Sequence, residues 1–189
     1  MPPVRSAALA ALSVLVLAGC GAKEADDASS AASIDTDRTL AAALDGDDRH
    51  DMLGDIADNA GLADVFAGVG PYTVFAPADA AFQGEGATDF TAEDRRAEGA
   101  ALVRAHVVPG ALTRQDIMAA IDRSGGDGVA MRTMADGLLT FTREGDAIVV
   151  VAGDGARGRL AGEEAVVSNG VLQPVDALLV RPAPVAEGG

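Results

Sequence analysis

Apolar and polar positions divide the chain into three stretches. Residues 1–20 (MPPVRSAALAALSVLVLAGC) carry one charge, Arg5, ahead of an apolar run over 7–18. Residues 21–33 (GAKEADDASSAAS) are small, polar and acidic, with no apolar period. From Ile34 onward apolar residues recur at helical spacing first and at strand spacing later. Residues 39–44 predict a short helix, interrupted by Asp45-Gly46-Asp47-Asp48. Met52, Leu53, Ile56, Ala57 and Ala60 share one helical face, which Asn59-Ala60-Gly61 ends. Leu62, Val65 and Phe66 add a further turn before Gly68-Val69-Gly70-Pro71. Residues 72–76 (YTVFA) are β-branched and aromatic, hence a strand. Pro77 stops that strand, and Asp79 is placed to cap a helical turn bearing Ala80, Ala81 and Phe82.

Thr91 is expected to open a helix reaching Ala105, with Ala97, Ala101, Leu102 and Ala105 on one face. His106-Val107-Val108 reads as a short strand halted by Pro109-Gly110. Thr113 caps a helix bearing Ile117, Met118 and Ile121, and Ser124-Gly125-Gly126 ends it. Strands follow near 129–134, 138–142, 147–152, 165–167 and 171–180, with turns at Arg143-Glu144-Gly145-Asp146 and Asn169-Gly170. Helices first and strands later imply an α+β fold with mainly antiparallel pairing. The folded domain is expected over 34–182, followed by a disordered tail, 183–189.

Composition narrows the function classes. The chain has 189 residues and a net charge of -15, which argues against nucleic acid, since phosphates reward Lys and Arg. One Cys and two His exclude an internal disulfide and any multi-cysteine metal site, and disfavour a histidine-based one. No metal or cofactor is expected. Asp45-Gly46-Asp47-Asp48 lacks the ligand offsets and terminal Glu of a calcium loop, and reads as a solvated loop. No G-x-S-x-G elbow or phosphate loop is present, so no enzyme activity is expected.

About 12 apolar residues are too few for a membrane span, which needs roughly 20. A positive start, an apolar middle and a small-residue exit form a signal peptide, 1–19. Its exit, Leu17-Ala18-Gly19-Cys20, resembles the lipobox of bacterial lipoproteins. That resemblance makes Cys20 the lipidated first residue of the exported chain, with 20–33 a flexible acidic tether. Removing 1–19 takes away Arg5 and no acid, so the net charge moves from -15 to -16. Residue 21 is Gly and not Asp, and the resemblance to Gram-negative lipoproteins then implies the outer membrane, on its periplasmic or surface face, with the inner membrane as runner-up.

Three motifs, in order and spacing, resemble a fasciclin-like domain. The first is Gly70 to Phe82 (GPYTVFAPADAAF), similar to TVFAPTDxAF. The second is His106-Val107-Val108-Pro109-Gly110, similar to HVVPG. The third joins Ser168-Asn169-Gly170-Val171-Leu172 to Val175-Asp176-Ala177-Leu178-Leu179, similar to SNGVIHVID with its LL ending. The resemblance implies a wedge of two β-sheets flanked by short helices, and a role in cell-surface or matrix adhesion through a protein or polymer partner. The alternative is a periplasmic accessory protein binding a small ligand or envelope polymer.

Phe75, Pro77, Asp79, Phe82, His106, Pro109, Gly110, Asn169, Gly170 and Asp176 are the motif positions, and each also reads as architecture. Val74 and Phe75 point to opposite faces of their strand, and both are too apolar for exposure. His106, without a partner His, Cys or Ser, reads as a hydrogen-bonded core residue. Asn169-Gly170 is expected to supply positive φ for a tight turn. Asp116-Ile117 matches an Asp-Ile pair that integrins read in animal members of the family. The competing reading makes Ile117 core and Asp116 a helix-start carboxylate. Two departures stand out: Ala105 where the family often has Tyr, and Gln173-Pro174 where an apolar, β-branched pair is usual. Pro174 is expected at an edge or bulge, because proline donates no ladder hydrogen bond.

Overall fold

The computed structural model describes residues 33–83 and 87–181. The signal segment, Cys20, residues 21–32 of the tether and the tail 183–189 lie outside the described residues.

Five helices come early: α1 (Leu40–Asp45), α2 (Asp51–Asn59), α3 (Ala63–Ala67), α4 (Arg96–Ala105) and α5 (Arg114–Arg123). The strands are β1 (Ser33–Asp35), β2 (Tyr72–Pro77), β3 (Val107–Pro109), β4 (Val129–Arg132), β5 (Leu138–Glu144), β6 (Ala147–Ala152), β7 (Arg157–Arg159), β8 (Ala165–Val167) and β9 (Gly170–Val175). They form a five-stranded sheet, β1-β8-β9-β2-β3, and a four-stranded sheet, β4-β5-β6-β7. The fold is therefore α+β with two sheets.

Residue alternation along β2 decides how the layers stack. Val74 and Ala76 face a core shared with Leu40 and Leu44 of α1, Leu53 and Ile56 of α2, Phe66, Phe82, and Leu102 and Val103 of α4. Phe75 points the other way, into a second core with Val108, Ile117, Ile121, Leu139, Phe141, Val150 and Val175. The five-stranded sheet is thus a middle layer, covered on one face by helices and on the other by the second sheet and α5. Phe75 and Phe141 bridge the two sheets, with ring centroids 5.2 Å apart and planes inclined by 39°.

The expected mainly antiparallel pairing holds: the second sheet is wholly antiparallel, and the first is mixed, with β2–β3 and β8–β9 antiparallel and β2–β9 and β1–β8 parallel. Sequence order hides the parallel pairs, because β2 and β9 lie almost a hundred residues apart, and β1 is too short to show a period. Other local expectations are corrected. The helix expected from Thr91 begins at Arg96, after a 3-10 turn over Glu93–Arg95. Thr91 is instead held in a turn by Asp89, whose carboxylate accepts its N–H and its hydroxyl. The buried face of α4 is Gly99, Leu102 and Val103, while Ala97 and Ala101 are exposed. Alanine loses little by exposure, so the larger Leu and Val set the rotation of the helix. Gly99 permits that packing, since a Cβ there would meet Ile56 Cγ2 at 3.0 Å.

The last expected strand, 171–180, ends at Val175, where Asp176 turns to the second sheet. Asp176 Oδ1 accepts the Arg159 N–H at 2.6 Å, and the Asp176 N–H donates to the Arg159 carbonyl at 3.1 Å. Pro174 lies within β9, an interior strand, opposite Ala76. Its neighbour β8 reaches only as far as Leu172, so the missing donor faces no strand there. The Pro174 carbonyl accepts from Ala161 N–H at 2.8 Å instead.

Candidate functional site

The motif residues are placed at the ends of the middle sheet, where helices and sheet meet. Asp79 starts the short 3-10 turn Asp79–Phe82, but its side chain does not cap that turn. Its Oδ1 accepts the Met52 N–H of α2 at 3.0 Å, 27 residues away, while its own N–H donates to the Arg49 carbonyl. The first motif therefore tethers α2 to the end of β2. Phe82, at the end of the same turn, is buried in the helical core.

His106 is the C-cap of α4, not part of the strand expected there. It is completely buried. Its Nδ1–H donates to the Leu102 carbonyl and its Nε2 accepts the Leu179 N–H, both at 2.9 Å. That pattern requires the neutral ring, and burial pushes its pKa down to about 4. Both nitrogens are spent on backbone, so the ring has no free position for a base or ligand. Pro109 ends β3 exposed, and Gly110 follows with φ of 107°.

Asn169 stitches three segments. Its Oδ1 accepts the Leu40 N–H at the start of α1, and its amide donates to the carbonyls of Phe66 and Gly68, all at 2.8 Å. The positive φ expected at Asn169-Gly170 is absent from both residues. Gly170 is needed for closeness instead: a Cβ there would lie 2.0 Å from the Tyr72 carbonyl oxygen. Tight parallel pairing of β2 with β9 sets this demand, and no local turn does.

The Asp116-Ile117 pair is divided between the core and an exposed helix start. Ile117 is wholly buried and offers no surface to a partner. Asp116 completes a capping box with Thr113, receiving its N–H at 3.0 Å and its hydroxyl at 2.6 Å. Those bonds hold the Asp116 carboxyl below its ordinary pKa.

Two polar clusters escaped the sequence reading. In the acidic stretch after α1, Asp47 is no simple solvated residue. Arg49 grips it with Nε and Nη2 at 2.8 Å each, and buried His50 approaches its Oδ2 through Nδ1 at 3.0 Å. The Arg49 hydrogen bond, above all, lowers the Asp47 pKa to about 2. In the second cluster, wholly buried Gln173 receives the Arg114 Nε–H at 3.2 Å and donates to Glu164 and to the Leu112 carbonyl. Glu164 also accepts the Arg114 N–H at 2.8 Å. The one sequence signal was Gln173 itself, a polar residue in an apolar strand. Among the described residues, no group of three or more His, Cys, Asp or Glu is placed to hold a metal ion.

Among the described residues, two of the open grooves bear on function. One, of about 440 Å³, is lined by Thr39, Ala67 to Pro71, Ser168 and Asn169. The other, of about 230 Å³, lies among Ala105, Leu138, Leu139, Ala152, Leu179 and Val180.

Comparison with known proteins agrees with this arrangement. A profile of the Fasciclin domain matches residues 48–181. Curated proteins give no match. Among solved structures, a FAS1 domain pair from the insect cell adhesion molecule Fasciclin I aligns with a TM-score of 0.66 at 16% identity. The alignment covers 77% of this chain and 52% of that one, so the chain spans about half the length of the pair. With the profile matching most of its length, the chain belongs to the Fasciclin domain family.

Proposed function

We propose that the chain is an extracytoplasmic adhesion module, anchored by lipid on Cys20, that holds a cell-surface or matrix protein or polymer. The observation that carries this reading is the inward use of its motif chemistry. His106, Asp79, Asn169 and Asp176 all bond to backbone of other segments, which leaves loops and sheet faces to meet a partner. The solved Fasciclin I pair belongs to a cell adhesion molecule, which supports the same role here. Neither cofactor nor enzymatic step enters this reading.

Beads bearing residues 21–189 test it. Adhesion to envelope or matrix material by the folded domain, lost after heat unfolding, supports the reading; equal adhesion by the unfolded chain overturns it. For the anchor, globomycin or Cys20→Ala is expected to leave the precursor unprocessed, and normal processing of that variant removes the lipoprotein assignment.

A second reading, a periplasmic accessory protein for a small ligand or an envelope polymer, draws on the 230 Å³ groove. Its walls are chiefly apolar, and Leu138 at its rim is partly exposed. Saturable binding of a small apolar probe that Leu138→Asp abolishes favours this reading.

A further inference from the structure

A smaller groove, apart from the two described above, opens in the helical layer. It holds about 110 Å³ between α1, α2 and α3. Its floor is apolar, made by the buried side chains of Leu44, Ala57 and Phe66. Its rim carries three exposed carboxylates, Asp45, Asp58 and Asp64, one from each helix, and no basic side chain. Arg38 and Arg96 are the cations beside these helix ends, and neither lines the groove. Arg38 donates to the Ala42 carbonyl at 2.6 Å, and Arg96 lies against Gly61.

Helix stability does not call for this combination. Asp45 is the last residue of α1 and Asp58 lies in the last turn of α2, where free carbonyls already concentrate negative potential and a cation is the favoured neighbour. Neither helix has a basic residue in that turn. Among the described residues, no donor bonds the side chain of Asp45, Asp58 or Asp64. Asp64, in the first turn of α3, is the one of the three with a local electrostatic reason for its place. Gly54, inside α2, keeps the groove open: a Cβ built there has nothing within 4 Å, although glycine is a poor helix former.

Volume decides what fits. The groove, at about 110 Å³, is smaller than a cavity of roughly 150 Å³ that accepts benzene, and far below the ~300–1,000 Å³ of small-molecule pockets. It therefore has room for one side chain presented by a larger partner. An apolar floor beneath an acidic rim matches a side chain with an aliphatic stem and a cationic head, which is lysine or arginine. Charge complementarity singles that occupant out, since a neutral or acidic side chain leaves three carboxylates without a counter-charge.

We infer that this groove receives a lysine or arginine side chain from a basic segment of the partner protein. The inference rests on the adhesion reading and narrows its partner to a protein with an exposed basic segment. The stem methylenes pack over Leu44, Ala57 and Phe66, while the head lies among Asp45, Asp58 and Asp64. The net charge of -15 draws such a segment toward the domain, and the groove fixes where it docks.

The test follows the fluorescence anisotropy of a fluorescein-labelled peptide, one lysine flanked by leucine and serine, titrated with the purified full-length chain in detergent. Salt is held at about 0.15 M, where attraction between exposed charges is screened beyond about 8 Å. The norleucine counterpart keeps the stem without the charge, and is expected to bind about tenfold more weakly. Gly54→Leu fills the groove without changing charge, and should weaken lysine-peptide binding about tenfold. Asp45→Asn with Asp58→Asn should weaken it about as much. Asp127→Asn with Asp146→Asn, an equal charge change at exposed sites beside the second sheet, should shift it less than about twofold. Thermal melts confirm that each variant folds. Gly54→Leu should also remove the adhesion of beads bearing the domain. Undiminished peptide binding by Gly54→Leu, equal weakening by the two charge pairs, or no measurable binding by the unaltered chain overturns this inference alone. Bead adhesion that survives Gly54→Leu does the same and leaves the adhesion reading standing. Equal adhesion by the unfolded chain removes the adhesion reading and this partner together.

Discussion

His106 Nε2 accepts the backbone N–H of Leu179 at 2.9 Å, joining the end of α4 to a segment 73 residues later. The acceptor exists only on the neutral ring, and burial lowers the folded pKa to about 4 against the ordinary 6.5. Between those values the unfolded chain binds a proton that the folded chain refuses. The stabilisation is therefore complete above about pH 6.5 and is lost progressively as pH falls to about 4, on the order of 3 kcal/mol in all. Urea midpoints measured from pH 7 to 4 should show this slope, and His106→Asn should flatten it while lowering stability at pH 7. An unchanged slope in the variant assigns the acid sensitivity elsewhere.

Asn169→Ala removes an acceptor for Leu40 N–H and both donors to Phe66 and Gly68. Buried partners left unpaired cost about 1–3 kcal/mol each when water cannot replace them, and partial access of water here keeps the sum near 3. Asn169→Asp retains the acceptor but sets a carboxylate against two carbonyls, so it should be no milder. Denaturant melts of the two variants check the order.

Two glycines should respond to alanine with opposite signs. At Gly170 the added Cβ meets the Tyr72 carbonyl at 2.0 Å and Leu40 Cδ1 at 2.8 Å, so β2 and β9 must separate. A loss of about 3 kcal/mol or more is expected. Gly54, inside α2, has nothing within 4 Å of such a Cβ, and Gly54→Ala should gain about 0.5–1 kcal/mol through helix propensity. Thermal denaturation of the pair decides the matter.

Asp79→Ala should destabilise by about 1 kcal/mol, as loss of a helix N-cap does. Hydrogen exchange localises the effect: protection should fall at Met52 and its neighbours in α2, not in the Asp79–Phe82 turn. Loss confined to that turn would mean that the sequential cap was the operative one.

At the Asp116-Ile117 pair, Asp116→Ala should lower stability by about 1 kcal/mol through the capping box and leave bead adhesion unchanged. Ile117→Ala opens a hole in the core between the sheets, at a cost of about 2–5 kcal/mol. Lost adhesion by Asp116→Ala at undiminished stability would instead make Asp116 a contact residue.

Much of the fold was legible because it is written in local periodicity. The apolar face of α2, the Thr113 cap, the alternation that sends Val74 and Phe75 into two cores, and the order of helices before strands all follow from residue spacing. The roles of the motif residues were less legible. Asp79 looked like a cap for the turn it begins, since a short polar side chain before a helical turn ordinarily serves that turn. Its true client is 27 residues back, and no sequence period links the two. Asn169-Gly170 looked like a positive-φ turn for the same reason, while the constraint comes from a neighbouring strand.

Sequence by itself determined where most of the helices and longer strands lie, the apolar face of α2, and the strong acidity of the chain. Tertiary structure alone decided that β2 and β9 run parallel, that Asp176 joins the two sheets, and that Gln173 has Arg114 and Glu164 for company. The physical reason is range. Propensity, capping and amphipathic period act over a few residues, whereas a buried hydrogen bond needs a partner brought close by packing, wherever in the chain that partner lies.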